Sequence, residues 1–220
     1  MKILHRMWMC LKVSLKLFDI NRQIVCGLWK IGRIAQPCVS IFGGSRHVIP
    51  GSYYYEKAAQ AAKMLVEGDI SVITGGGPGI MEAANCGAHT AGHDGDRTIK
   101  VIISGLSNGQ KPNHCPGKSV IASDFFARKW LLIDYSIGFI VFPGGLGTMD
   151  ELSELLNLIQ AKKIKPRIVV LIGVHYWKAY QEFYEEAYAD HLLANETQSP
   201  VITDDIEYAV NLILQTAHRV

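Results

Sequence analysis

The sequence predicts an α/β protein built on a single doubly wound, mainly parallel sheet with helices on both faces. Two observations predict it: short apolar runs alternate with helix-compatible segments along the chain, and three of those runs end directly in glycine clusters. Parallel strands need crossover connections, and a strand covered on both faces reads as a continuous apolar run rather than an alternating one.

The elements follow in order. Residues 1–36 mix bases with apolar side chains; His5, Arg6, Lys12 and Lys16 interrupt the segment before any apolar run reaches spanning or signal length. It is expected to be an amphipathic N-terminal extension, packed on the domain or a second subunit, or seeking a surface, with the domain proper over 37–220. Cys38–Phe42 predicts the first buried strand, running into Gly43-Gly44-Ser45-Arg46. Tyr54–Glu67 carries an alanine-rich face with Gly68 just past its end, and predicts a helix. Ile70–Thr74 is a second strand, followed by Gly75-Gly76-Gly77-Pro78-Gly79 and a helix over Ile80–Ala91. Lys100–Ile103 is a third strand, and Ser104–Ala122, without periodicity, is expected to be a long loop. Phe125–Asp134 predicts a helix. Ile137–Phe142 is a fourth strand, ending in Pro143-Gly144-Gly145-Leu146-Gly147-Thr148 before a helix from Met149 to about Ala161. Ile168–Ile172, a helix over Tyr176–Leu193, a short strand at Val201-Ile202 and a closing helix capped by Asp204 complete the pattern. The architecture is Rossmann-like, and ligands in such sheets bind outside the carboxyl ends of the strands.

Composition narrows the function. With 49% hydrophobic residues among 220 the chain can bury one sizeable core, and a net charge of +2 supplies no field for gripping nucleic acid. The five cysteines lack a CxxC pair and a His at zinc-ligand spacing, which predicts reduced cytoplasmic thiols and no metal.

A strand, a glycine turn and a helix start leave unpaired backbone N–H groups converging where the helix dipole also favours an anion. One such turn is ordinary in an α/β protein; three on one sheet point to a phosphate cradle. None ends in GK[ST], and none is a clean G-x-G-x-x-G with a following acid, so neither nucleotide hydrolysis on the P-loop plan nor a redox dinucleotide site is indicated. Asp150 and Glu151 open the helix after the third turn. Adjacent helical residues point about 100° apart, so both cannot face one atom, and Asp150 is assigned to solvent or a supporting role. Glu82 near the second helix start could accept both ribose hydroxyls or simply complement the dipole. Among His47, His89, His93 and His114 no pairing is visible. Asn113, in the expected loop, is a candidate contact to the base, with Phe125 and Phe126 able to flank it by stacking, though at least one of the two is expected to pack in the core.

Pro143-Gly144-Gly145-Leu146-Gly147-Thr148-Met149-Asp150-Glu151 fits the pattern PGGxGTxxE, and Arg128-Lys129 precedes it. Together they resemble the LONELY GUY (LOG) family, formerly labelled "lysine decarboxylase". Gly75–Asn85 and Gly44-Ser45-Arg46 resemble two further turns of that family, and the likeness runs from about Val39 to about Tyr180. The resemblance implies a hydrolase that cleaves the N-glycosidic bond of a nucleoside 5′-monophosphate, AMP or a cytokinin-type relative, to free base and ribose 5-phosphate. It implies Arg128 and Glu151 as the catalytic pair. It implies Gly44, Ser45, Arg46, Gly76, Gly77, Gly79, Glu82, Asn113, Lys129, Gly144, Gly145, Gly147 and Thr148 as substrate contacts. It also implies a homodimer or larger homo-oligomer, with no cofactor and no metal. The chemistry agrees: a carboxylate stabilises a cation-like ribosyl transition state, and a permanent arginine cation close by would hold that carboxylate ionised. Trp130 departs from the smaller apolar residue usual in the plant enzymes.

Two other functions compete. Pyridoxal phosphate chemistry, suggested by the old label, finds no recognisable cofactor-lysine motif. A carrier that binds a nucleotide or cofactor without cleaving it remains compatible with the same fold.

Overall fold

The computed structural model describes residues 2–34, 36–92, 96–105, 111–193 and 199–217, so His93 lies outside the described residues. The strands are β1 (Cys38–Phe42), β2 (Ser71–Thr74), β3 (Thr98–Ile103), β4 (Lys118–Ala122), β5 (Ser136–Val141), β6 (Ile168–Ile172) and β7 (Val201–Thr203). They form one all-parallel sheet in the order β4-β3-β2-β1-β5-β6-β7. The helices are α1 (Lys2–Ile31), α2 (Tyr53–Glu67), α3 (Ile80–Thr90), α4 (Phe125–Asp134), α5 (Leu146–Gln160), α6 (Val174–Ala189) and α7 (Ile206–Ala217).

Two cores sandwich the sheet. On one face α2, α3 and α7 pack through Ala58, Ala62, Leu65, Ala84, Val210 and their neighbours. On the other lie the C-terminal end of α1 and helices α4, α5 and α6, through Ile31, Leu131, Leu152, Leu155 and Trp177. The alanines of α2 and α3 serve close approach: a Cβ on Gly87 would sit 2.2 Å from the Ala59 carbonyl oxygen, so any larger residue there would push the helices apart.

Strand order decides where a ligand can sit. The chain winds outward from β1 through β2, β3 and β4, then returns to β5 on the other side of β1. The crevice between the carboxyl ends of β1 and β5 is therefore the topological switch point.

Four expectations need correction. The long loop over Ser104–Ala122 holds β4, which pairs with β3 from Ile99–Lys118 to Ile103–Ala122. It is an edge strand of mixed burial, so it lacks the continuous apolar signature of a central one. Helix α5 begins at Leu146, three residues before the expected Met149, which makes the third glycine turn part of the helix N-terminus. Asp205, not Asp204, caps α7 by accepting from the Tyr208 N–H at 3.0 Å; Asp204 accepts from the Val174 N–H at the start of α6. Cys86 and Cys115 are joined in a disulfide, while Cys10, Cys26 and Cys38 stand outside it as thiols. The crossover from α3 through β3 brings these two Cα atoms to 5.1 Å although they are 29 residues apart, a contact no local spacing announces.

Candidate functional site

The three glycine turns meet. The Gly44 N–H donates to the Pro143 carbonyl at 2.9 Å, and the Ile80 N–H donates to the Gly44 carbonyl at 3.0 Å, tying the first turn to the third and the second. Glycine is required by contact as well as by dihedral. A Cβ on Gly79, whose φ is +72°, would lie 2.4 Å from the Gly44 oxygen, and one on Gly144 would lie 2.2 Å from the Thr148 hydroxyl. Gly145 caps α5 without a side-chain bond, leaving the first-turn N–H groups of Leu146 and Gly147 open at an exposed edge. Thr148 is buried beneath them. Ser45 lies at the rim beside Gly79, and Arg46 is exposed next to it. The Tyr176 hydroxyl donates to the Gly144 carbonyl, a support from α6 that no motif signalled.

Arg128 and Glu151 come together here. Nη1 of Arg128 donates to Oε1 of Glu151 at 2.9 Å, Nε donates to the Val101 carbonyl at 3.1 Å, and both side chains are almost wholly buried. Gly75 lets the guanidinium in, since a Cβ there would sit 1.8 Å from Nη2. Burial raises the pKa of Glu151 above the ordinary carboxylate range, and the Arg128 cation opposes that rise without cancelling it. The arginine cation stands beside Glu151 as expected, and burial acts against it on the carboxyl pKa.

The second turn is braced from below. Asn85 accepts from the Thr74 hydroxyl at 2.7 Å and from Nδ2 of Asn113 at 2.9 Å, and donates to the Thr98 hydroxyl at 2.7 Å. Asn113 also donates to the carbonyls of Gly76 and Gly77, so it grips the turn from the β3–β4 connection. Its buried Oδ1 has no hydrogen-bond partner among the described residues. Lys100, which the sequence offered only as a strand residue, donates to the Cys115 carbonyl at 2.8 Å and holds that connection down. Glu82 lies one helical turn before Cys86, with its Oε1 3.6 Å from Nδ1 of His114.

Other residues sit apart from the pair. Lys129 is held by Asp150 at 3.0 Å and Glu154 at 2.5 Å on the outer side of α5, away from Glu151. Asp150 is more than half exposed. Phe125 and Phe126 are both exposed, contrary to the expectation that at least one would join the core, while Trp130 packs against the core of the α4–α5 face. His47 is exposed, and His89 keeps a buried Nδ1 without a hydrogen-bond partner among the described residues. Cys86, His114 and Cys115 bring donor atoms within 4.8 Å of one another, but the disulfide occupies both sulfurs, so His114 alone offers a free lone pair to a metal.

Comparison with known proteins identifies the family and the fold. Residues 81–213 match the family model described as "Possible lysine decarboxylase". The chain is 27% identical over 158 residues to a pyrimidine/purine nucleotide 5′-monophosphate nucleosidase of Escherichia coli K12. That match covers 67% of the chain and 34% of the relative, so the chain spans about a third of that protein's length. It is 29% identical over 177 residues to a cytokinin riboside 5′-monophosphate phosphoribohydrolase of Arabidopsis thaliana, covering 79% of the chain and 77% of the relative. Among solved structures, the molybdenum cofactor carrier protein of Chlamydomonas reinhardtii superposes with a TM-score of 0.60 at 20% identity over 82% of this chain and 98% of that one, a likeness of fold. Motif, architecture and sequence match agree that the chain belongs to the family so described, the LOG family.

Proposed function

We propose that the chain hydrolyses the N-glycosidic bond of a nucleoside 5′-monophosphate, releasing the free base and ribose 5-phosphate. The observation that carries the proposal is the buried Arg128–Glu151 pair beside three joined glycine turns, with an anion-accepting helix N-terminus at Gly145–Thr148. The 5′-phosphate docks on the N–H groups of the third turn and beside Gly44, Ser45 and Arg46. Gly76, Gly77 and Gly79 line the ribose side with Glu82, and the unpartnered Oδ1 of Asn113 accepts an N–H from substrate. As the bond from C1′ to the base nitrogen breaks, positive charge grows on the ribose. Ionised Glu151 stabilises it and takes a proton from the water that attacks C1′; the base leaves with the electron pair of the broken bond and takes up one proton, which returns Glu151 to its ionised form. A carboxyl with a raised pKa is a stronger base than an ordinary one, which suits that step. Arg128 orients Glu151 and offers Nη2 to the departing base or the phosphate.

Lys129 is bound by Asp150 and Glu154, so its part is to steady α4 against α5 rather than to touch substrate. The protein works in the cytoplasm as a homodimer or larger homo-oligomer. Leu146, 90% exposed at the tip of the third turn, supports that assembly as a contact for a second protomer at the mouth of the site. Sedimentation equilibrium of wild type and Leu146→Asp tests it.

The decisive experiment incubates the protein with AMP, N6-modified AMP and other monophosphates, with free base followed by chromatography and Glu151→Ala as control. Base release by wild type, lost in the variant, supports the reading. Stoichiometric binding with every nucleotide left intact would replace it with the carrier.

A further inference from the structure

Helix α1 presents two faces. Gln23, Gly27, Ile31 and, just past its end, Ile34 turn inward: Gln23 exchanges hydrogen bonds with Ser123, and Gly27 lies against Leu131. On the opposite side Met7, Leu11, Phe18, Val25 and Trp29 recur at helical spacing along one stripe, each between 58% and 71% exposed. Trp8 and Leu15 flank it, also exposed. Lys12 stacks over the Trp8 ring at 3.5 Å and Arg33 over the Trp29 ring at 3.4 Å, so cations stand beside the aromatic edges of the stripe.

We propose that α1 is an interfacial helix that lays this stripe on an anionic lipid surface. Charge selects that occupant. Residues 1–36 hold seven Lys and Arg against the single Asp19, a net of +6, whereas the whole chain carries +2 and the remainder therefore −4. Two copies joined stripe to stripe would bring +6 against +6, whereas an anionic bilayer neutralises the segment and repels the rest of the chain, turning the domain outward. Because the stripe faces away from the sheet, the helix can lie flat without disturbing its packing on α4 and β4. Among the described residues no helix is long and apolar enough to cross a membrane, and the Lys12 ammonium can snorkel to the headgroups beside the apolar side chains, while Lys16 is paired with Asp124 at 3.1 Å on the side facing the domain.

The full-length protein is sedimented with vesicles of phosphatidylcholine alone and of phosphatidylcholine mixed with phosphatidylglycerol, at low and high salt. Binding to the anionic vesicles at least about tenfold above the neutral ones is expected, weakening as salt rises. Arg6→Glu with Lys12→Glu lowers it by at least about tenfold, at roughly one membrane-facing charge each. Leu11→Ser with Phe18→Ser lowers it similarly while leaving the melting temperature and the mass by light scattering unchanged, because both side chains are exposed. Equal affinity for both vesicles, no binding to either, or undiminished binding by the serine variant overturns the proposal. So does a fall in particle mass in the serine variant, which assigns the stripe to contacts between copies of this chain. None of these outcomes depends on base release.

Discussion

Replacing Gly75 by alanine tests the pair through a residue that is itself neither acid nor base. The added Cβ would lie 1.8 Å from Nη2 of Arg128, 2.9 Å from its Cζ and 2.8 Å from the Met81 sulfur. Ordinary contact lies near 3.5 Å, so the guanidinium must withdraw by about 1.5 Å. That motion stretches the 2.9 Å bond to Glu151 and the 3.1 Å bond to the Val101 carbonyl beyond useful length. Charge-assisted bonds contribute about 1.5–3 kcal/mol each, and the arginine can re-form some contacts from its new position, so a stability loss of about 2–4 kcal/mol is expected in urea denaturation. Misplacing a reacting group by about 1 Å costs about a hundredfold in rate, so base release from AMP at saturating substrate should fall at least that far. Gly75 does not adopt a positive φ, which leaves steric displacement as the cause. A Gly75→Ala protein with the wild-type urea midpoint and base release within a few-fold of wild type would refute the reasoning, because the Arg128 pose would then not matter.

Glu151→Gln should lower base release by about 10²–10⁴-fold. Because burial raises the Glu151 pKa, the wild-type rate should fall, as pH drops, along a limb above the ordinary carboxylate range, and the glutamine variant should lose that limb; a limb in the ordinary range would show that Arg128 prevails. Asn85→Ala strands the Thr74, Thr98 and Asn113 groups that it joins, so chemical denaturation should show a loss of about 2–4 kcal/mol, and a loss below that would mean water replaces the amide. Titrating thiols in unfolded, unreduced protein should count the three cysteines outside the disulfide, and reduction should lower stability by about 3–4 kcal/mol through loop entropy; five reactive thiols before reduction would show the Cys86–Cys115 bond absent.

The central strands were readable because each is buried on both faces and so composed almost wholly of apolar residues, as in Cys38–Phe42 and Ile168–Ile172. Lys118–Ala122 escaped because an edge strand with one wet face, following glycine and proline, carries no such run. The start of α5 was misplaced because glycine is a poor helix former, yet Gly147 is helical: the contact of Gly144 with Thr148 and the tie between the first and third turns hold the backbone there whatever its propensity. Asn113 was singled out as a substrate contact, but its hydrogen bonds to the second turn run between elements and leave no mark on local spacing.

Taken alone, the sequence determined the wound α/β class, the three glycine turns and the motif holding Arg128 and Glu151, because periodicity, turn chemistry and short motifs are properties of neighbours along the chain. Only the tertiary structure decided that the turns after β1, β2 and β5 touch, that Lys129 faces Asp150 and Glu154 rather than the turns, and that Cys86 meets Cys115. It also decided that desolvation outweighs the arginine at Glu151. These outcomes depend on strand order, crossover direction and the water excluded when the layers close, and residues separated by whole crossovers acquire them only when the sheet is assembled.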